Sequence, residues 1–433
     1  MIVRLHALIF LSAVTLLSSA ARADNSCHEI FKFGSQSEPV RGWVLPDGYA
    51  QWLLWEQTAN LAQYKKSPDA VKIGLVPLAA INFKIEKSAA APDSLIRMFK
   101  QGKNVLWPKH PFNTHVGVPY LNEVETSTIE GFLTSSRSIA LKGPLRGYTV
   151  KLATDHPHGL QGEYQPGKIN TNDDIHSALL HTEHIEEVDR EIGPDPVFSM
   201  MPEIMTLAEK KTGIGMIVRD VRILEDGHYY LPALSIPFVG RKIAQINHSE
   251  FGPFFEKYYA SVLGEAKARL LLRYGLQMET PNPQNMLVQF DREMRPTGRI
   301  IFRDVSDAFL VDAVATGLDF NDQIAKDTAA DYKPESMVKP YWSNSAWRMD
   351  EAGVDSVGAQ EMSAWGAAHN RAFVEFIEKE LDVRLIAPYG VKPSEDELRY
   401  VYDFFKSDIG QKKLREYRAS KSLRRENGLK RSV

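Results

Sequence analysis

The stretch that most constrains the fold covers residues 274–312, because short apolar runs there end in polar side chains. An apolar run over 276–278 leads into a turn over 280–283 that contains two prolines. Further apolar runs over 286–290 and 299–302 predict two strands that are joined by a tight turn. The sequence therefore predicts a β-hairpin late in the chain.

The predicted hairpin turn contains Pro296 and Gly298, and the strands carry polar residues at their ends. Asn285 stands at the start of the first strand, and Arg303 and Asp304 follow the second. An amide, a guanidinium and a carboxylate at one end of a hairpin suit a phosphate or Mg²⁺. The alternative is that Arg303 and Asp304 form a structural ion pair that closes the sheet.

Composition describes a globular protein and favours no polyanionic partner. The 433 residues are 43% hydrophobic and 25% charged, with a net charge of −3, so nucleic-acid binding is not predicted. Cys27 is the only cysteine, which excludes an internal disulfide and a thiolate zinc site. The P-loop, the dinucleotide turn, G-x-S-x-G and H-E-x-x-H are absent from the sequence. The basic segment 412–431 is interpreted as a solvated helix, with contact to anionic lipid or nucleic acid as the alternative.

The amino terminus has the three parts of a secretory signal peptide. Arg4 precedes the apolar run 7–17, and Ala21-Arg22-Ala23 supplies small residues for cleavage after Ala23. Residues 1–23 are therefore predicted to be removed, which gives a periplasmic or secreted protein; a buried N-terminal helix is the alternative. No run approaches the roughly 20 consecutive apolar residues of a membrane span, so no membrane anchor is predicted.

Polar residues also occur beside apolar runs in the centre of the chain. His110 follows an apolar run, the turn 134–138 combines serines with Arg137, and Lys151 lies in a strand predicted over 148–152. One arginine can bind two phosphate oxygens, and short hydroxyls fill the remaining acceptors. Taken alone, a serine-rich turn of this kind is more typical of a capped loop.

Histidines are concentrated at positions 156, 158, 181 and 184, with Glu183 among them. His181 and His184 share one face if this segment is helical, as a metal site would require. No third ligand follows at a fixed spacing. The favoured interpretation is therefore a solvated, histidine-rich surface.

Hydrophobic periodicity predicts the other elements. Strands are predicted over 71–78, 81–85, 213–220 and 229–237, and helices over 93–99, 202–211, 253–274, 345–348, 363–381 and 394–405. Ser394 and Glu397 form a capping box at the start of the last helix.

The order of these segments resembles the IucA/IucC-type siderophore synthetases, which are NRPS-independent, ATP-dependent ligases with a FhuF-like C-terminal region. The resemblance covers roughly residues 105–312. It is carried in chain order by His110-Pro111, Ser135-Ser136-Arg137-Ser138, Lys151, the strand ending in Arg219-Asp220, the long helix, Gln284-Asn285 and Arg303-Asp304. Asn282 and Thr280 depart from the pattern, because they stand where the family has a histidine and a glutamate.

The resemblance implies an α+β fold that is cupped like the synthetases. It has an antiparallel palm-like sheet, a finger-like region and a helical C-terminus. The divisions implied are a reduced N-terminal region over 24–103, a finger-like region with the phosphate loop over 104–250, and a palm-like domain with a helical tail over 251–433.

The resemblance also implies roles for particular residues. His110, Ser135, Arg137, Ser138, Lys151 and Gln284 would bind ATP, Asn285 and Asp304 would hold Mg²⁺, and Asn282 and Arg303 would occupy catalytic positions. The implied reaction converts citrate or a similar polycarboxylate into an acyl-adenylate, which an amine then attacks. The implied partners are therefore a small polycarboxylate and an amine, with a homodimer as a possible assembly.

Two other interpretations remain open at this point. An asparagine at 282 cannot carry a proton, and an exported protein meets little ATP. A secreted pseudoenzyme would bind a polyanion such as citrate, a ferric siderophore or a nucleotide without turnover. An exported effector would instead use ATP inside another cell.

Overall fold

The computed structural model describes residues 45–64, 70–111, 123–134, 137–152, 172–212, 214–278, 282–320, 329–330, 357–385 and 395–430. Some predictions lie outside these ranges, namely those on the segment 1–23, Cys27, Ser135, His156, His158, Thr280, the helix 345–348 and the cap at Ser394.

The strands are β1 (Val71–Ala79), β2 (Phe83–Lys87), β3 (Lys100–Gln101), β4 (Asn104–Pro108), β5 (Ser127–Leu133), β6 (Ser138–Leu141), β7 (Tyr148–Leu152), β8 (Phe198–Met200), β9 (Glu203–Glu209), β10 (Gly215–Asp220), β11 (Tyr229–Pro232), β12 (Leu276–Met278), β13 (Met286–Phe290), β14 (Pro296–Phe302), β15 (Ala308–Val311) and β16 (Ala329–Ala330). The helices are α1 (Gly48–Tyr64), α2 (Asp93–Phe99), α3 (Asn172–Ile192), α4 (Ile236–Ile246), α5 (Phe251–Phe255), α6 (Ser261–Tyr274), α7 (Asp312–Gly317), α8 (Ala359–Leu381), α9 (Glu395–Lys406) and α10 (Asp408–Lys430).

A nine-stranded antiparallel sheet has the order β2-β9-β10-β7-β6-β5-β1-β4-β3. Strands from both sides of the predicted division at 103/104 therefore lie in this one sheet. One face packs on α2 through a cluster that includes Leu95, Phe99, Val150 and Leu152. Because side chains alternate along a strand, Thr149 and Lys151 of β7 lie on the opposite face.

A second layer covers this opposite face. Ile175 and Ala178 of α3 contact Ala208 and Ile217 of the sheet. Nearby, α1 packs against Ala140 together with Leu287 of β13 and Ile301 of β14. The polar face of the large sheet is thus turned towards a buried layer, and polar side chains there must find partners in it.

The late hairpin is confirmed as β13 paired with β14, in a four-stranded sheet of order β11-β13-β14-β8. Its turn precedes Pro296, which pairs with Phe290 as the first residue of β14, so the prediction that the turn contains Pro296 and Gly298 is wrong. The predicted strand 276–278 exists as β12, but it pairs with β15 in a separate sheet.

The long amphipathic helix predicted over 253–274 is confirmed as α5 and α6, which are joined by a π-helical turn over Glu256–Ala260. It packs against α8 at Gly264, where a Cβ atom would lie 2.1 Å from the carbonyl oxygen of His369. Only a residue without a side chain permits this approach. Among the described residues, no helix combines the length and the apolar character needed to cross a membrane.

The helix predicted over 202–211 is wrong, because these residues form β9 between β2 and β10. A bulge interrupts the pairing of β9 with β10, and Ile204 and Met205 both belong to the cluster on the α2 face. The regular alternation that identifies a strand is therefore lost from the sequence. The prediction for 229–237 is only partly right, since the strand ends at Pro232 and α4 begins at Ile236.

A large antiparallel sheet, two smaller mixed sheets and a helical C-terminal part confirm the α+β fold class. The predicted helices 363–381 and 394–405 correspond to α8 and α9. The segment 408–430 is also helical, as α10.

Candidate functional site

A row of polar side chains crosses the covered face of the large sheet. In the strand register, Ser138 lies opposite Lys151, Thr149 lies opposite Arg219, and Arg219 lies opposite Glu203. Opposite residues in an antiparallel pair present their side chains on the same face. Arg137 stands at the end of this row, because its carbonyl oxygen accepts a 2.9 Å hydrogen bond from the N–H of Leu152.

Asp304 meets this row from the second layer. It follows β14 and has a left-handed backbone conformation, with φ of 66°. Its carboxylate forms an ion pair with Lys151, and its Oδ1 lies 3.0 Å from Nη2 of Arg219. Nδ2 of Asn285 donates to its Oδ2 at 3.4 Å. The left-handed conformation is energetically unfavourable for a residue with a side chain, and such conformations are concentrated at functional sites.

The charges around Asp304 determine its ionisation. Burial alone would raise the pKa of Asp304, but Lys151, Arg219 and Arg137 outweigh burial and hold this pKa well below its usual range. Burial would lower the pKa of Arg219, but Glu203 and Asp304 raise it. Asp304 and Arg219 are therefore both ionised at neutral pH, and the Asp304 carboxylate is shared between Arg219 and Lys151.

The turn that carries Asp304 is held from two sides. The N–H of Ser306 donates to Oε2 of Glu203 at 3.0 Å, and Nδ1 of His181 lies 2.7 Å from the carbonyl oxygen of Val305. A carbonyl only accepts, so Nδ1 of His181 carries the proton. The turn is fixed by α3 and by β9, and β9 also carries Glu203 of the polar row.

His181 and His184 are buried, so the prediction of a solvated histidine surface is wrong for them. Nε2 of His184 donates to the carbonyl oxygen of Tyr274 at 2.8 Å. Both rings serve as buried hydrogen-bond donors to main-chain carbonyls. No group of three or more histidine, cysteine or acidic side chains suited to a metal occurs within the described ranges.

His181 gives the protein a defined acid sensitivity. Burial lowers the pKa of His181 to about 4, against about 6.5 when unfolded. A depressed histidine pKa means that the unfolded chain binds the proton first, so stability falls as the pH drops from about 6.5 to 4. We expect the wild type to lose about 2 kcal/mol of unfolding free energy through this residue between pH 7.5 and 5.

The measurement is urea unfolding at both pH values for the wild type and His181→Gln, whose amide can still donate to Val305. The variant starts less stable but should show a smaller loss on acidification. Buried His369, whose pKa burial lowers well below its usual value, is present in both proteins and cancels from the comparison. Equal losses would contradict the assignment.

Arg303, predicted at a catalytic position, forms a buried ion pair with helix α1. Its Nη2 donates to Oε1 of Glu56 in α1 at 2.7 Å. Only 5% of the Arg303 side chain and none of the Glu56 side chain is exposed. The main-chain N–H of Arg303 donates to the carbonyl oxygen of Asn285. This geometry corresponds to the alternative of a structural ion pair, with Glu56 rather than Asp304 as the partner.

The other predicted residues lie around the hairpin and the sheet. Oδ1 of Asn282 accepts a 3.1 Å hydrogen bond from the N–H of Gln284, which caps the short helical turn Pro283–Asn285. Both side chains are partly exposed. Buried His110 follows β4, which is separated from β7 by β6, β5 and β1 in the sheet order. The structure thus unites Arg137, Ser138, Lys151, Asn285 and Asp304, whereas His110 lies at another strand.

Sequence reasoning missed Arg219, Glu203, Ser306 and Glu56 as members of this region. Arg219 had a visible signal, since it ends a buried strand in charge. Glu203 was hidden by the wrong helix assignment. Glu56 has no local signal, because its partner Arg303 lies 247 positions away.

The side-chain oxygens at this end of the hairpin are of the types that bind a hard cation. Asp304 offers carboxylate oxygens and Asn285 an amide oxygen, which are ligand types that Mg²⁺ accepts. These two side chains do not fill the coordination sphere of Mg²⁺ by themselves, so a bound phosphate or water would have to supply further oxygens.

The architecture described above is similar in fold to solved siderophore synthetases. The aerobactin synthetase IucC from a hypervirulent pathotype of Klebsiella pneumoniae is similar with a TM-score of 0.53 and 11% identity, over 77% of this chain and 70% of that one. The petrobactin biosynthesis protein AsbB from Bacillus anthracis str. Sterne has a TM-score of 0.51 and 13% identity, over 75% of this chain and 63% of that one. ATP-bound aerobactin synthetase IucA from a hypervirulent pathotype of Klebsiella pneumoniae has a TM-score of 0.50 and 13% identity, over 72% of this chain and 63% of that one.

The similarity is one of fold, because sequence identity to these proteins is 11–13%. No protein-family model and no curated protein matches the sequence. The chain spans 63–70% of the length of these three structures. The predicted cupped α+β fold with a helical C-terminus is thereby confirmed.

Proposed function

We propose that this protein is an ATP-dependent carboxylate–amine ligase that activates citrate or a similar polycarboxylate. The observation that carries the proposal is the convergence of Lys151 and Arg219 on Asp304, from segments 153 and 85 residues apart in the chain. A buried group of cations around one displaceable carboxylate is a site built for an anion. It occurs on a fold whose solved examples include an ATP-bound synthetase.

In this proposal the residues of the chain bind and orient the reactants. Arg137 and Lys151 hold phosphate oxygens, and Ser138 and Gln284 hydrogen-bond the nucleotide. Asn285 and Asp304 would hold Mg²⁺, which would neutralise charge on the leaving pyrophosphate. Fixed cations and amides in a buried site stabilise developing charge without reorganising. Proximity of the carboxylate and the amine supplies the rest of the rate enhancement.

A second candidate is a binding protein without turnover. The observation that favours it is Asn282, whose side-chain oxygen is used to cap the turn Pro283–Asn285. An amide cannot exchange a proton with a substrate. Such a pseudoenzyme would bind citrate, a ferric siderophore or a nucleotide in the same place.

We also propose that the chain is exported after cleavage at Ala23. A mature chain that begins at Asp24 would favour the binding protein, or an effector that meets ATP in another cell. Mass spectrometry of the protein recovered from the periplasm and the medium tests this, since an uncleaved cytoplasmic chain contradicts export.

The binding prediction concerns Arg137. We expect the wild type to bind Mg²⁺-ATP, and Arg137→Ala to weaken that binding at least tenfold, since a charge-assisted contact contributes about 1.5–3 kcal/mol. Isothermal titration calorimetry of the wild type and of Arg137→Ala, with Mg²⁺-ATP and with citrate, measures these affinities. The matched control is Arg146→Ala, because Arg146 forms half-exposed ion pairs with Asp47 and Glu225 and should leave affinity unchanged.

Turnover separates the candidates. Pyrophosphate release in the presence of citrate and a panel of diamines is expected of the ligase. Citrate binding without nucleotide binding would point to the carrier and contradict the ligase. Tight ATP binding with no pyrophosphate release across the panel would contradict the ligase and would leave the nucleotide-binding pseudoenzyme and the effector.

A further inference from the structure

Arg219 is a buried cation whose hydrogen-bonding capacity is only partly used. Its Nη2 donates to Oε1 of Glu203 at 2.7 Å and to Oδ1 of Asp304 at 3.0 Å. Within the described part of the chain, its buried Nε has no hydrogen-bond partner. Nε and Nη2 form one edge of the guanidinium, which can bind two oxygens of a single oxyanion in parallel. Among the described residues, hydrogen-bond partners are therefore found for only one of the two nitrogens on this edge.

The hydrogen-bond donors around Asp304 are concentrated on one of its two carboxylate oxygens. Its Oδ1 is shared by Lys151 and Arg219, and the hydroxyl of Ser306 approaches the same oxygen at 3.5 Å. Its Oδ2 faces Asn285. A planar carboxylate has only two oxygens to distribute, whereas a terminal phosphate group presents three in a tetrahedral arrangement. Such a group can reach the ammonium and both nitrogens of the guanidinium edge.

Glu203 keeps the guanidinium in place for this role. The glutamate is completely buried, and it holds Arg219 through one oxygen and the Ser306 N–H through the other. The arginine is thereby fixed relative to the Asp304 turn. Its charge also remains available, because Glu203 and Asp304 raise the pKa of Arg219.

We propose that Arg219 is a further phosphate-binding residue, and that a phosphate group of the ligand replaces Asp304 on its Nε and Nη2 edge and on Lys151. The inference deepens the proposed function and rests on it for the nucleotide, but it concerns phosphate recognition in general. In this exchange the carboxylate of Asp304 is released from both cations. No covalent bond changes.

The test measures binding of inorganic triphosphate and of Mg²⁺-ATP by calorimetry. Arg219→Lys keeps the charge but loses the two-nitrogen edge, and it is expected to weaken both ligands at least tenfold. The matched control is Arg222→Lys. Arg222 lies three positions further on, is half exposed and pairs with Asp220, so this variant should bind within twofold of the wild type. Wild-type affinity in Arg219→Lys overturns the inference.

A second pair of variants tests the same inference if Arg219→Lys does not fold. Glu203→Gln is compared with Glu203→Gln/Arg219→Gln, in which both charges of the pair are removed together. A further tenfold loss in the double variant supports the role of Arg219, and equal affinities overturn it. If Arg219-dependent triphosphate binding occurs without Mg²⁺-ATP binding, the ligase fails but this inference stands. If the wild type binds neither ligand, both fall.

Discussion

Replacing Glu56 with alanine is expected to lower the free energy of unfolding by about 3–5 kcal/mol. Glu56 and Arg303 form an ion pair at 2.7 Å, with 0% and 5% of the side chains exposed. Removing one member leaves the charge of the other buried without its partner, and the cost of desolvating that charge is then uncompensated. Urea unfolding at pH 7.5 measures the change.

The double variant Glu56→Gln/Arg303→Met should lose much less than Glu56→Ala. Removing both charges eliminates the uncompensated arginine, and isosteric replacement of a buried pair is often close to neutral. Lys142→Ala is the control for a surface pair, since Lys142 and Glu130 are 40% and 49% exposed, and it should cost less than about 1 kcal/mol. A loss in Glu56→Ala no larger than in this control would contradict a buried pair.

The second large effect is expected for Asp304→Asn, which should destabilise the protein by about 3 kcal/mol at neutral pH. The carboxylate, with 16% of the side chain exposed, is the counter-ion of Lys151 and Arg219. Its loss leaves two cations close together in a buried layer. Asparagine tolerates the left-handed backbone conformation, so the change isolates the charge.

The effect of Asp304→Asn should depend on pH in a defined direction. The pKa of Asp304 is lower in the folded state than the value of about 4 in the unfolded chain. Its contribution is therefore complete above about pH 5 and declines as the pH falls below 4. The difference in unfolding free energy between wild type and variant, measured by urea unfolding between pH 3 and 8, should be constant above about pH 5. It should decrease as the pH falls below 4.

Asp319→Asn is the matched control for this experiment. Asp319 also has a left-handed conformation, with φ of 57°, but it is exposed. Its substitution should change stability little at any pH. A similar loss in both variants would mean that the backbone, and not the charge of Asp304, is responsible.

The hairpin shows how far local sequence reasoning reaches in this protein. Strands β13 and β14 were predictable because compact apolar runs alternate with turn residues, and such signals are local. The same reasoning placed Asn285 and Asp304 at the ends of the hairpin strands, whereas Lys151 was indicated by the family resemblance. It failed at β9, where a bulge and burial on both faces remove the alternation.

The sequence by itself determined which segments are strands at the late hairpin, which helix precedes it, and that polar groups stand at the strand ends. Only the tertiary structure decided which charges meet. Arg303 pairs with Glu56, and Arg219 joins Lys151 on the Asp304 carboxylate. The physical reason is that strand formation depends on neighbours in the chain, whereas ion pairing depends on sheet order and on burial, which bring together residues 85 to 247 positions apart.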